Sequence, residues 1–256
     1  MSPDFRMRKG QVPKEFKEYF DRIVLVDRLR EVRALVGFTR IEFPGDYADG
    51  ADLPQPSIAP LSRTAPAWVP AAEIRGECLF IQFNEKKLQD WINQGDTQRR
   101  QGLFFSAHQQ WRSKRNLVPP EAGFPGIRYI LLHSFAHALM RQFALECGYS
   151  SASIRERIYS AEPESDGGSM AGILLYTAAP DSEGTLGGLV SLGEDKTLGR
   201  HLEQALKGMR LCSSDPLCGE RAPDPEGKTL LRGKASTLPG SIRSHPSGGF
   251  AGNRHT

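Results

Sequence analysis

The chain has 256 residues, enough for one large or two small domains. Hydrophobic residues make up 39% and charged residues 25%, the balance of a globular protein rather than a disordered or fibrous one. The formal net charge is only +3, so binding to nucleic acid would need a local basic patch and not the bulk charge.

No apolar run approaches the roughly 20 residues of a membrane-spanning helix. The start, Met1 to Lys9, is polar and basic and lacks the apolar core of a secretory signal. A cytoplasmic location without membrane contact is expected. Four cysteines occur, Cys78, Cys147, Cys212 and Cys218. A reducing compartment directs them toward thiol or metal roles before a disulfide.

In chain order, residues 13–36 predict one helix. Phe16, Phe20, Ile23, Val24, Leu29, Val32 and Val36 recur at three- and four-residue spacing, Pro13 suits the first turn and Gly37 the end. Residues 44–66, rich in Pro and Gly, predict a long exposed loop. Glu77 to Phe83 predicts a strand. Residues 85–118 predict a basic helical region that Pro119 and Pro120 close. The strongest helix follows, 125–147, with a wide apolar stripe from Ile127 to Phe143. A shorter helix is expected from Ser151, carrying Ile154, Arg155 and Ile158. Met170 to Thr177 predicts a buried strand, and 195–209 a last helix with Leu198, Leu202, Leu206 and Met209 on one face. Residues 227–256 hold five basic residues and no acid, with few large apolar ones. Such a tail cannot bury enough surface to offset chain entropy and is expected to be disordered.

Four motifs carry chemistry. His133-Ser-Phe-Ala-His137 places two imidazoles one turn apart on a helix face, the ligand geometry of zinc hydrolases. The Glu that usually follows the first histidine is Ser134 here, and no third ligand stands at a known spacing. The plainer reading is two structural histidines, hydrogen-bonded in the core. Cys212 and Cys218 frame an Asp-Pro turn and could supply half of a tetrahedral zinc site, or be ordinary reduced thiols. Gly184 to Gly188 (Gly-Thr-Leu-Gly-Gly) lacks the Lys-Ser/Thr ending of a phosphate loop and reads as a tight turn. Arg99, Arg100, Arg112, Lys114 and Arg115, interleaved with Phe104, Phe105 and Trp111, could follow a nucleic-acid backbone, or be a solvated helix face over core aromatics.

Several segments resemble one family. They include Val24 to Leu35 (Val-Leu-Val-Asp-Arg-Leu-Arg-Glu-Val-Arg-Ala-Leu), Gly37 to Arg40, Ala59 to Ser62, Glu73 to Glu77 and Phe124 to Tyr129. Leu132 to Leu139, Ser153 to Tyr159, Gly172 to Tyr176 and Cys212 to Cys218 complete the set. Across about residues 20–220 the chain resembles DrmB of the bacterial DISARM anti-phage system, a family carrying the zinc-binding domain also found in MrfA-type helicases. The resemblance implies an accessory role beside a helicase-like ATPase (DrmA-like) in a complex that engages DNA. It also implies zinc, held partly by Cys212 and Cys218.

Family chains extend much further at the N-terminus, so this one is expected to begin near the middle. After Cys218 the family continues with a Cys-x-x-Cys pair and a further cysteine, where this sequence has none. A frameshift that replaced the true C-terminus is the hypothesis. Long-read resequencing that confirms the present frame would remove it. On that view the metal half site lacks its partners, and zinc is bound weakly or not at all.

Together these readings predict an α/β (α+β-like) fold, a small mixed sheet packed by several helices. The expected divisions are 1–118, an incomplete zinc-binding-like domain at 119–220 and a tail at 221–256. No catalytic residue is expected. The phosphate contacts are assigned to Arg99, Arg100, Arg112, Lys114 and Arg115. Two alternatives stand beside this: a zinc-dependent hydrolase or nuclease using His133 and His137, and a scaffold that touches only protein.

Overall fold

The computed structural model describes residues 4–39, 58–64, 66–114, 116–147, 154–165, 167–177 and 188–209. A five-stranded antiparallel sheet runs in the order β1-β2-β5-β7-β6. Its strands are β1 (Phe5–Gly10), β2 (Phe20–Ala34), β5 (Ala71–Phe83), β6 (Ile154–Tyr159) and β7 (Gly172–Thr177). A two-stranded sheet, β3 (Gly37–Thr39) with β4 (Ile58–Pro60), lies between β2 and β5 in the sequence. The helices are α1 (Glu85–Ile92), α2 (Gly95–Ser113), α3 (Gly126–Cys147), α4 (Gly188–Leu192) and α5 (Asp195–Met209). The expected α/β (α+β-like) class, a small sheet packed by helices, is borne out. The sheet draws strands from both sides of the expected division at 118, since β5 pairs with β7. The tail at 221–256 lies outside the described residues.

Pleat alternation decides which side chains form the core. Ile23 and Leu25 on β2 stand opposite Ile81 and Leu79 on β5, which stand opposite Ile173 and Leu175 on β7. All six are fully buried against Leu132, Phe135, Leu139 and Phe143 of α3 and Leu198 and Leu202 of α5. A smaller cluster, Phe104, Ala107, Ile127 and Ile130, seats α2 on the start of α3. Burial of each such side chain contributes roughly 1.5–3 kcal/mol.

Two expected helices are strands. Residues 13–36 form only a short 3-10 turn, Lys14–Phe16, before β2 begins at Phe20. The apolar positions of this stretch fit a period near 3.6 and a period of 2 about equally. The β-branched Ile23, Val24, Val26 and Val32 lose rotamer freedom in a helix and pack well on a pleat. Pairing with β5, from Phe20 opposite Phe83 to Ala34 opposite Ala71, then settles the choice. The same holds at β6, where Ile154, Glu156 and Ile158 alternate with Arg155, Arg157 and Tyr159. The proposed cap Ser151 falls outside the described residues, as do 44–57 of the loop expected at 44–66, in which Ile58–Pro60 form β4, and 184–187 of the glycine run, while Gly188 opens α4.

The closest approach to a glycine among the described residues is at Gly76, and it is to backbone. A Cβ on Gly76 would lie 2.3 Å from the carbonyl oxygen of Thr177. Gly76→Ala is expected to force the strands apart and cost about 1–3 kcal/mol, as overpacking does. Urea unfolding of the variant checks this; an unchanged midpoint would show that the strands yield freely.

Two buried charged groups are well matched. The carboxylate of Glu77 accepts the backbone N–H of Leu189 at 2.8 Å and of Val190 at 3.0 Å. This caps the first turn of α4 and fastens it to β5. Arg128, fully buried on α3, donates to both oxygens of Glu85 at 2.7 and 2.6 Å and to the carbonyl of Met170 at 2.7 Å.

Candidate metal centre

The helix α3 runs 22 residues, and His133 and His137 stand one turn apart on it. Their ring centroids are 4.3 Å apart. The edge strand β6 supplies the third group. Glu156 is opposite Leu175 in the β6–β7 register, and Leu175 belongs to the core side of the sheet, so the carboxylate points at α3. One oxygen, Oε1, contacts Nδ1 of His133 and lies 3.3 Å from Nε2 of His137. One donor atom from each of the three residues falls within 4.8 Å of the others.

The site is enclosed. The side chains of His133 and Glu156 are each 2% exposed and that of His137 is 22% exposed. Tyr129 stacks on His133 with centroids 5.6 Å apart. Burial lowers the basicity of His133, outweighing the carboxylate beside it. Burial opposes the Glu156 anion, yet His133 and His137 together hold its carboxyl below the usual range. Neutral imidazole and ionised carboxylate are the states in which these groups donate to a cation. Neither oxygen of Glu156 and neither nitrogen of His133 receives or makes a hydrogen bond of good geometry, although all four atoms are buried. The contacts are close but poorly aligned for proton sharing. A cation at their centre would satisfy them.

The histidine pair was legible from spacing, and the third ligand was not. Glu156 lies 19 residues beyond His137 in a segment whose helical reading hid its direction. The available signal was an acid placed between Ile154 and Ile158 in a period-2 run.

Cys212 and Cys218 are outside the described residues. Cys78 is buried on β5, and burial followed by Glu77 and Glu31 pushes its thiol up to about 12, so it stays protonated. Among the expected phosphate contacts, Arg99 pairs with Asp96 at 3.0 Å and the Arg100 guanidinium lies 5.8 Å from the centre of the Phe104 ring. Arg112 donates to the carbonyl of Pro119 at 3.1 Å, Lys114 is exposed, and Arg115 is outside the described residues. Arg99 and Arg112 stand at opposite ends of α2, roughly 20 Å apart at the helical rise. Phe104 and Trp111 are buried, so these two aromatics build the core and do not offer faces to bases.

Comparison with known proteins adds three findings. Residues 135–227 match the MrfA Zn-binding domain, a span that takes in His137, Glu156, Cys212 and Cys218. The DISARM protein DrmB of Bacillus paralicheniformis is 37% identical over 227 residues, covering 88% of this chain. The chain spans 38% of that relative's length. Among solved structures, the crystal structure of the DUF1998 helicase MrfA bound to DNA is similar over 82% of this chain and 21% of that one. Its TM-score is 0.34 with 10% identity, too slight a likeness to argue from. Among the described residues no helix is long and apolar enough to cross a membrane.

Proposed function

Because the resemblance to DrmB of the DISARM system holds over 88% of the chain, we propose that it is a non-catalytic accessory segment of an anti-phage defence complex. It works beside a helicase-like ATPase (DrmA-like) and helps that motor to engage DNA. That kinship is the observation that carries the reading. The site geometry supports the non-catalytic part: the side chains of His133 and Glu156 are almost fully buried, and of the three residues His137 alone reaches the surface. Arg99, Arg100 and Lys114 are exposed cations suited to phosphate, whereas Arg112 is engaged with the backbone of Pro119.

Phosphate contacts release counterions, so binding through them weakens steeply with salt, by a slope of roughly −0.9 per contact on duplex DNA. In the complex with the ATPase, R99E/R100E/K114E is expected to weaken DNA binding and to flatten the salt slope by about three contacts. A gel-shift series across salt concentrations measures both. Equal binding before and after charge reversal would replace this reading with that of a protein-only scaffold.

A second reading has one observation in its favour. Glu156 gives the histidine pair a third donor, and three protein ligands are the number found in open catalytic zinc sites. A zinc-dependent hydrolase or nuclease would use His133 and His137 as ligands. Position 134 provides no general base, because Ser134 stands there with its hydroxyl buried.

A further inference from the structure

We propose that His133, His137 and Glu156 bind one divalent ion of the zinc class as a structural staple, at a site that needs neither Cys212 nor Cys218. The inference is independent of the accessory role argued above.

The first argument is electrostatic. A buried carboxylate is strongly disfavoured unless it is compensated. Among the described residues, two acidic side chains are deeply buried, Glu77 and Glu156. Glu77 is compensated by two well-formed amide hydrogen bonds. Glu156 has close contacts with two imidazoles but no hydrogen bond of good geometry at either oxygen. A positive ion between the three residues supplies what the hydrogen bonds do not.

The second argument concerns ligand type. Two imidazoles and one carboxylate suit zinc, cobalt or iron in the divalent state, whereas calcium and magnesium require more oxygen donors. Three protein ligands leave one position for a water molecule, and His137 is the ligand with an exposed edge.

The third argument is mechanical. The strand β6 is an edge strand, paired only with β7 among the described residues. An ion bound by its Glu156 and by the middle of α3 would tie that edge to the central helix. Ligands preorganised in this way convert metal affinity into folding stability.

No cysteine is required. The thiol of Cys78 is paired in register with Tyr176 on the opposite side of the sheet from Leu79 and Ile81. On this proposal the site holds its ion even where the cysteine-containing end is incomplete.

The test uses the full chain carrying Cys212→Ser and Cys218→Ser, stripped with chelator and titrated with Co²⁺ alone. One equivalent should bind, with visible absorption of nitrogen and oxygen ligation and without a thiolate-to-cobalt charge-transfer band. The thermal midpoint should rise on binding. Glu156→Gln, which keeps the side-chain shape, and His137→Ala should each lose the bound equivalent. A doubly substituted chain that takes up no cobalt would overturn the proposal. So would uptake that persists in Glu156→Gln, or a spectrum dominated by thiolate.

Discussion

Glu77→Ala is expected to lower stability by about 3–5 kcal/mol, since each lost hydrogen bond to a charged acceptor contributes roughly 1.5–3 kcal/mol. Glu77 is fully buried on β5 and is the acceptor for the N–H groups of Leu189 and Val190 at the start of α4. Truncation leaves both donors buried without a partner and detaches α4 from the sheet. Leu189 and Val190 are themselves core residues, so loss of the clasp also loosens the packing of Leu25 and Leu79 beneath them. Glu77→Gln should cost nearly as much, because one of its two polar atoms becomes a donor facing a donor. Thermal and urea unfolding of the two variants measure the effect. Near wild-type stability in Glu77→Ala would mean that the clasp is dispensable.

Glu85→Ala is expected to cost about 3 kcal/mol, within the range seen when one partner of a buried ion pair is removed. The guanidinium of Arg128 is 1% exposed and, among the described residues, keeps the Met170 carbonyl once Glu85 is gone. Arg128→Met should be less damaging, since it removes the buried charge and its partner's purpose together. The pair also sets an acid limb. Hydrogen bonds from Arg128 hold the Glu85 carboxyl below its ordinary value, against the opposing effect of burial. A lowered folded-state pKa contributes stability that is present above the ordinary carboxylate value, about 4.3, and is lost as pH falls through the folded value. Wild-type stability should therefore fall on acidification below about pH 4.3, and Glu85→Gln should flatten that limb. Parallel acid limbs in the two proteins would assign the acid sensitivity to other groups.

The sequence made the long, strongly patterned elements legible. The helix α3 is apolar and buried on nearly every face between Ile130 and Met140, more than a stripe, whereas α5 carries Leu198 and Leu202 on one buried face at helical spacing. The run from Gly172 to Thr177 is apolar at consecutive positions, yet the face of Ile173, Leu175 and Thr177 is the buried one, while Leu174 and Tyr176 on the other are half-buried. The ambiguous segments were those where two periods coincide. In β2, Phe20, Ile23 and Val24 fit the helical period while Ile23 and Leu25 fit the strand period, and the β5 partner, some fifty residues away in sequence, resolves it. Long-range partners explain the rest of what was hidden. Glu77 meets α4 across 112 residues, and Arg128 meets Glu85 across 43. Each left a local trace, a charged residue inside an otherwise apolar run, but the trace names no partner. The same applies to the candidate site. Its histidines sit on one helix and could be paired by counting, whereas Glu156 required the register of a strand.

The zinc expected from the family and the enclosed His133–His137–Glu156 cluster bear differently on function. A structural ion would brace the fold that presents Arg99, Arg100 and Lys114, and would itself touch no nucleic acid. A catalytic ion would need the same three ligands and an open path for substrate. The burial of His133 and Glu156 favours the brace.

The proposed role is to serve a neighbouring motor while breaking no bonds. It is tested most directly by incubating the purified chain, loaded with Zn²⁺ or Mn²⁺, with single- and double-stranded DNA and with ATP. The account predicts no product above that of a His137→Ala control for any substrate. Cleavage or hydrolysis that is present in the wild type and abolished in His137→Ala would contradict it.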